Sequence, residues 1–92
     1  MSIGSKVITS SDALVDSTNP TVVYAVIVKS GGTAASVLLK LAATGGQEYD
    51  QIDGTINKAI VRSYPGGLLF PTGCFVDLDA NTTYVTVIYE RI

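Results

Sequence analysis

The acidic and hydroxyl side chains are the first places where this chain could do chemistry. Asp77, Asp79 and Asn81 stand at i, i+2 and i+4, the spacing with which an EF-hand calcium loop opens. That loop also needs glycine at its sixth place for the sharp turn and glutamate at its twelfth as a bidentate ligand. Thr82 and Ile88 stand there instead, so the motif fails, and a strand end followed by a polar turn accounts for the three residues. Asp50 and Asp53 could serve as an acid/base pair, but their odd and even places point them to opposite faces of a sheet. Both are expected in solvent. Ser30 and Ser63 have no histidine to activate them, because the chain contains none. The commonest general base and the commonest zinc ligand are thereby missing together. Gly31-Gly32, Gly45-Gly46 and Gly66-Gly67 lack the strand–loop–helix setting of a phosphate-binding loop. The single cysteine, Cys74, can form no intrachain disulfide. It alternates in phase with Val76 and Leu78 and reads as a small core residue. The residues thus predict no catalytic group, no metal and no cofactor.

Five tyrosines remain, Tyr24, Tyr49, Tyr64, Tyr84 and Tyr89, and there is no tryptophan. Exposed aromatics on a β-sandwich can stack on sugar rings, which would make the chain a carbohydrate-binding module. Each tyrosine is equally natural in a core or interface with its hydroxyl at water.

The elements that must position these side chains read as strands. Apolar residues make up 47% of the 92 residues and charged ones only 15%, below the usual quarter or so. Small neutral residues take their place: ten threonines, nine glycines and eight serines. Such a surface is easy to desolvate, which suits a neutral β domain or a subunit packed against others. The net charge is −2 and the cations are scattered singly, whereas nucleic-acid binding needs them clustered. MSIGSKV lacks the apolar core of a secretory signal. No apolar run approaches the roughly 20 residues that span a bilayer.

In chain order, Met1 to Ser5 reads as a polar arm and Lys6-Val7-Ile8-Thr9 as a first short strand. Ser10 to Asn19 is polar around Ala13-Leu14-Val15 and reads as a short strand or loop ended by Asn19-Pro20. Thr21 to Lys29 is the strongest strand of the front half. Val22, Tyr24, Val26 and Val28 alternate there with Val23, Ala25 and Ile27. Ser30-Gly31-Gly32-Thr33 reads as a hairpin turn into a strand over Ala34 to Ala43, followed by a turn at Thr44-Gly45-Gly46. Glu48 to Ile52 and Thr55 to Arg62 are strand-like, with Asp53-Gly54 as a hairpin turn between them. Pro65-Gly66-Gly67 and Pro71-Thr72-Gly73 are punctuation around a short apolar segment. Cys74 to Leu78, the turn Asp79-Ala80-Asn81-Thr82 and the β-branched run Tyr84 to Tyr89 read as a closing hairpin.

Turns roughly every ten residues, with no convincing helix, predict an all-β fold. The expectation is one domain over 1–92, a jelly-roll-like β-sandwich of seven or eight short antiparallel strands. A two-layer sandwich of this size covers one face of each sheet with its own chain. The second apolar face of Thr21 to Lys29 therefore predicts an interface and a homo-oligomer.

Three pieces carry a resemblance: VVYAVIVKSGG (Val22 to Gly32), YPGGLLFPTG (Tyr64 to Gly73) and CFVDLDANTTYVTVIYE (Cys74 to Glu90). Together they cover 38 of the 92 residues, about two fifths of the chain, and the aromatic-Pro-Gly-Gly of the middle piece is the most specific. The chain resembles small virion structural proteins of tailed bacteriophages, although that pattern often has a hydrophobic or aromatic residue where Cys74 stands. The resemblance implies a capsid decoration or cement subunit, or occasionally a neck or tail component, located in the virion and assembled in the host cytoplasm. It would bind the outside of a shell of major capsid protein, as a homotrimer, with no nucleic acid and no membrane as partner. The rival expectation is a binding module for tail-fibre adhesion or glycan.

Overall fold

The computed structural model describes residues 3–13, 19–42 and 45–91. Over these residues the backbone forms strands and no helix: β1 (Ile3–Ile8), β2 (Asp12–Ala13), β3 (Thr21–Ser30), β4 (Ser36–Leu41), β5 (Glu48–Asp53), β6 (Ala59–Phe70), β7 (Cys74–Leu78) and β8 (Thr82–Arg91). They build two four-stranded antiparallel sheets, ordered β1-β8-β3-β6 and β2-β7-β4-β5. Pairing follows a nested rule: β1 with β8, β2 with β7, β3 with β6 and β4 with β5. The chain is thus one long antiparallel ribbon, and the pairings of β3 with β8 and β4 with β7 close it into two layers. This is the jelly-roll arrangement of a β-sandwich, as the sequence predicts.

The layers meet over a core rich in valine. Val26 and Val28 of β3, Val85 and Val87 of β8, Val37 and Leu39 of β4, Ile52, Phe70, Cys74 and Val76 are fully buried. β-branched side chains are stiff at χ1 and fit a pleated surface, so this composition favours strands at little entropic cost. Each such side chain contributes about 1.5–3 kcal/mol by leaving water. Leu41, Ile60, Tyr64, Leu68, Leu78 and Tyr89 pack around this centre, and the Tyr49 ring stacks on Phe70 with centroids 4.6 Å apart.

Three connections expected to be hairpins are corners that carry the chain from one sheet to the other. Ser30-Gly31-Gly32-Thr33 joins β3 to β4, Asp53-Gly54 lies between β5 and β6, and Asp79 to Thr82 joins β7 to β8. The last of these dissolves the expected closing hairpin. All three gather at one end of the sandwich, where they bond to one another. Gly31 N–H donates to the Asn81 carbonyl (3.2 Å), Asn57 N–H to that of Gly31 (2.9 Å) and Gly54 N–H to that of Ala35 (2.7 Å). A Cβ on Gly54 would collide with the Ser30 hydroxyl, which is buried and accepts the Ala35 N–H at 3.0 Å. Among the described connections, only β4 to β5 is a hairpin, turning at Gly45-Gly46; Ala43 and Thr44 lie outside the described residues.

β6 also corrects the expectation. It does not end at Arg62 but continues through Pro65-Gly66-Gly67 to Phe70. The three residues form an irregularity in an edge strand, opposite a register shift between Val23 and Ala25 of β3. Proline is tolerated on an edge because the ladder asks no N–H of it there. Gly66 and Gly67 take φ of 79° and 88°. The matching extra residue in β3 is Tyr24, so the alternation changes phase at that point. Val23, Val26 and Val28 face inward while Val22, Ala25 and Ile27 face outward, and neither face is the strictly alternating set expected.

At the front, Ile3 to Ser5 are no arm, because Ile3 pairs with Glu90, Gly4 with Tyr89 and Ser5 with Ile88. Met1 and Ser2, like Leu14 and Val15, lie outside the described residues. Within the polar stretch that follows, Asp12–Ala13 forms the short strand.

Candidate functional site

Most of the carboxylates singled out for chemistry are held by hydrogen bonds from neighbouring side chains or backbone. Asp77, on β7, accepts from Lys40 Nζ at 2.8 Å and from the Ser11 hydroxyl at 2.9 Å. These donors, the lysine first, hold its carboxyl below the usual range. Asp79 caps the β7–β8 corner, accepting from the Ser36 N–H (3.0 Å), the Asn81 N–H (3.1 Å) and the Thr82 hydroxyl (2.9 Å). Its oxygens are therefore committed to backbone geometry, as a turn-forming aspartate's are. Among the described residues no group of three or more acidic or thiol side chains could hold a metal. Ser36, Leu38, Asp77, Leu78 and Asp79 line a shallow depression of about 190 Å³ on the outside of the second sheet.

Asp50 is half-buried, not fully in solvent as the sequence predicts. It faces the gap between the edge strands β5 and β6, where the Tyr64 hydroxyl donates to it at 2.6 Å and Arg62 at 3.1 Å. Tyr64 and Arg62 sit on the opposite sheet, so the trio fastens the two layers along one open side. Burial, with this hydrogen bond, holds the Tyr64 phenol well above its ordinary pKa. Asp53 is exposed and accepts from Gln51 Nε2 at 2.9 Å, so the expected opposite orientation of the two carboxylates holds. Cys74 is completely buried, and burial pushes its thiol up to about 12. Ser30 is buried at a corner, whereas Ser63 is exposed on β6.

The tyrosines divide. Tyr49, Tyr64 and Tyr89 pack against the core. Tyr24 and Tyr84 lie on the outer face of the first sheet, toward opposite ends of β3 and β8. The Tyr24 hydroxyl donates to Glu90 at 2.8 Å, and that bond raises the phenol's pKa. Its ring lies over Gly67, where a Cβ would strike both Val22 and Tyr24.

The outer face of the first sheet is the feature that sequence reasoning found only in part. Strand register sets its rows. Val7, Thr86, Ile27 and Val61 form one, and Ser5, Ile88, Ala25 and Ser63 the next. Ile3, Glu90, Val22 and Leu69 form a third, and Tyr84, Lys29 and Ala59 close the opposite end. Only Lys29 and Glu90 carry charge among these fifteen positions. Val7, Val61, Ile3 and Leu69 are 62%, 63%, 62% and 50% exposed, an unusual state for large apolar side chains brought together on one surface. The outside of the second sheet is different, with Lys40 and Asp77 paired and Glu48, Gln51 and Asp53 exposed. The β3 and β8 members were visible in the sequence. Ile3, Ser5, Ser63 and Leu69 are not, because the sequence predicts an arm over Met1 to Ser5 and a strand that ends at Arg62, and no spacing places Val7 and Val61 of the predicted strands in the same sheet as β3 and β8.

No family model matches this chain, and neither the curated proteins nor the solved structures hold a match to it.

Proposed function

We propose that this chain is a non-enzymatic virion structural protein of the tailed-bacteriophage kind. As a capsid decoration or cement subunit it binds the outer surface of a major capsid protein shell and associates with its own copies. The observation that carries this reading is the apolar outer face of the first sheet, with only two charges among its aligned positions. A surface of that kind functions by being covered. Polar clusters that satisfy one another on the second sheet, at a corner and along the open side of the sandwich add rigidity. Many copies on a closed shell sum weak contacts by multivalency, so a small subunit suffices. The resemblance of Val22 to Gly32 and Tyr64 to Glu90 to phage virion proteins supplies the shell as partner and three as the expected copy number.

Negative-stain microscopy of the producing particle with an antibody to this chain tests the reading. Regular label over the head is expected. Label confined to fibre tips would replace it with adhesion, and a particle without label would end it.

A further inference from the structure

We propose that the outer face of the first sheet binds the same face of a second copy, across a two-fold axis that runs perpendicular to the strands. This rests on the reading of that face as an assembly surface and specifies its occupant. A two-fold contact places one patch against itself, so the patch must be self-complementary. Two axes lie in the plane of the face, one across the strands and one along them, and they give opposite results.

With the axis across the strands, strand directions reverse and each row meets a different row. Val7, Thr86, Ile27 and Val61 then lie over Ser5, Ile88, Ala25 and Ser63 of the second copy. In every one of the four columns a larger side chain meets a smaller one: valine on serine, isoleucine on threonine, isoleucine on alanine, valine on serine. Sheets interdigitate best when large and small side chains alternate across the contact. The axis along the strands sets each row against itself in reversed order. It keeps isoleucine on threonine and isoleucine on alanine in the two middle columns, but puts Val7 on Val61 and Ser5 on Ser63 at the edges, bulky on bulky and small on small.

Charge makes the same choice. Lys29 stands in the row at one end of the face and Glu90 in the row at the other. Reversal brings each within one strand spacing of its opposite in the second copy, giving two equivalent ion pairs. Without reversal lysine would sit near lysine and glutamate near glutamate, which costs affinity. The size of the face sets the strength. Four strands about 4.8 Å apart and four rows about 6.6 Å apart make roughly 500 Å² per copy. The pair buries about 1,000 Å², the threshold for a specific interface. The dimer is therefore weak when free, with a dissociation constant on the order of micromolar or above. It is consolidated where copies are held close together. This contact replaces the expected three-fold one for this face.

Sedimentation of the purified protein from about 1 to 500 μM, with carbodiimide cross-linking, tests it. Lys29 and Glu90 of one chain lie about 20 Å apart by the rise of a strand, so a zero-length link between them can form only between copies. A monomer–dimer equilibrium with a Lys29–Glu90 cross-link is expected. Lys29→Glu should weaken the dimer by about tenfold or more, because it sets carboxylates together at both ends. Lys29→Glu with Glu90→Lys should restore it, with melting curves showing that all variants fold. A monomer at 500 μM, a trimer, a dimer without the cross-link, or a double variant no better than the single one would each overturn the proposal. Bare shells coated by wild-type protein that stays monomeric throughout this range would overturn this contact and leave the decoration reading standing. Failure of the wild-type dimer to bind shells would do the reverse.

Discussion

Cys74 and Asp50 were both legible as residue types, and only one was legible as a contact. The phase of Cys74 with Val76 and Leu78 is local, so its burial could be read. Asp50 meets Tyr64 and Arg62 across the gap between the sheets, and no spacing along one strand reports a neighbour on another. The thiol carries a pH signature. Its pKa is raised from 9.0 to about 12, so its stabilising effect is complete below pH 9 and declines as the pH rises toward 12. Three units correspond to about 4 kcal/mol across that interval. Cys74→Ala should delay the onset of alkaline destabilisation to about pH 10, where the raised phenols of Tyr64 and Tyr24 begin to act. Urea titrations at a series of pH values check this, and slow native labelling by a thiol reagent checks the burial. Asp77 has the opposite sign. Its lowered pKa gives stability that is complete above the ordinary carboxylate value and is lost as pH falls through the folded one. Asp77→Asn should flatten that acid limb. Tyr64→Phe removes the 2.6 Å donor from half-buried Asp50 and should cost about 1–3 kcal/mol; an unchanged urea midpoint would contradict the role given to the trio.

Strands were easier to locate than to pair. Turn-forming residues mark where a chain reverses, through positive φ or side chains that bond nearby backbone, and the same chemistry serves a hairpin or a corner between layers. Ser30 to Thr33, Asp53-Gly54 and Asp79 to Thr82 were therefore placed correctly as turns and assigned wrongly as hairpins. The nested pairing that decides the matter joins residues up to 87 positions apart, as Ile3 with Glu90. Pro65-Gly66-Gly67 misled in the other direction, since a bulged edge strand uses the vocabulary of a turn. At this scale the two glycines should behave differently. A Cβ at Gly66 meets nothing within 4 Å, so Gly66→Ala should cost only the positive-φ strain of about 1–2 kcal/mol. At Gly67 the same strain adds to collisions with Val22 and Tyr24, and the total should exceed that of Gly66→Ala by about 1 kcal/mol or more. Equal melting temperatures for the two variants would show that the Tyr24 ring does not need Gly67 beneath it.

For the molecule as a whole, every pairing but the β4–β5 hairpin joins strands distant in sequence, and such topologies fold in milliseconds to seconds. Stopped-flow refolding of the described fold should fall in that range, and a microsecond phase carrying the full amplitude would be inconsistent with it. The position of β8 has a further consequence for synthesis. It lies inside the first sheet, hydrogen-bonded to β1 on one side and β3 on the other, yet the ribosome makes it after both. Translation proceeds at about 5–20 residues per second. For the seconds it takes to reach Thr82, the emerging polypeptide therefore holds two apolar strands with their facing backbone groups open. A stalled or truncated nascent chain lacking β8 is consequently the species most apt to recruit foreign strands, and the natural client for a chaperone waiting at the exit tunnel.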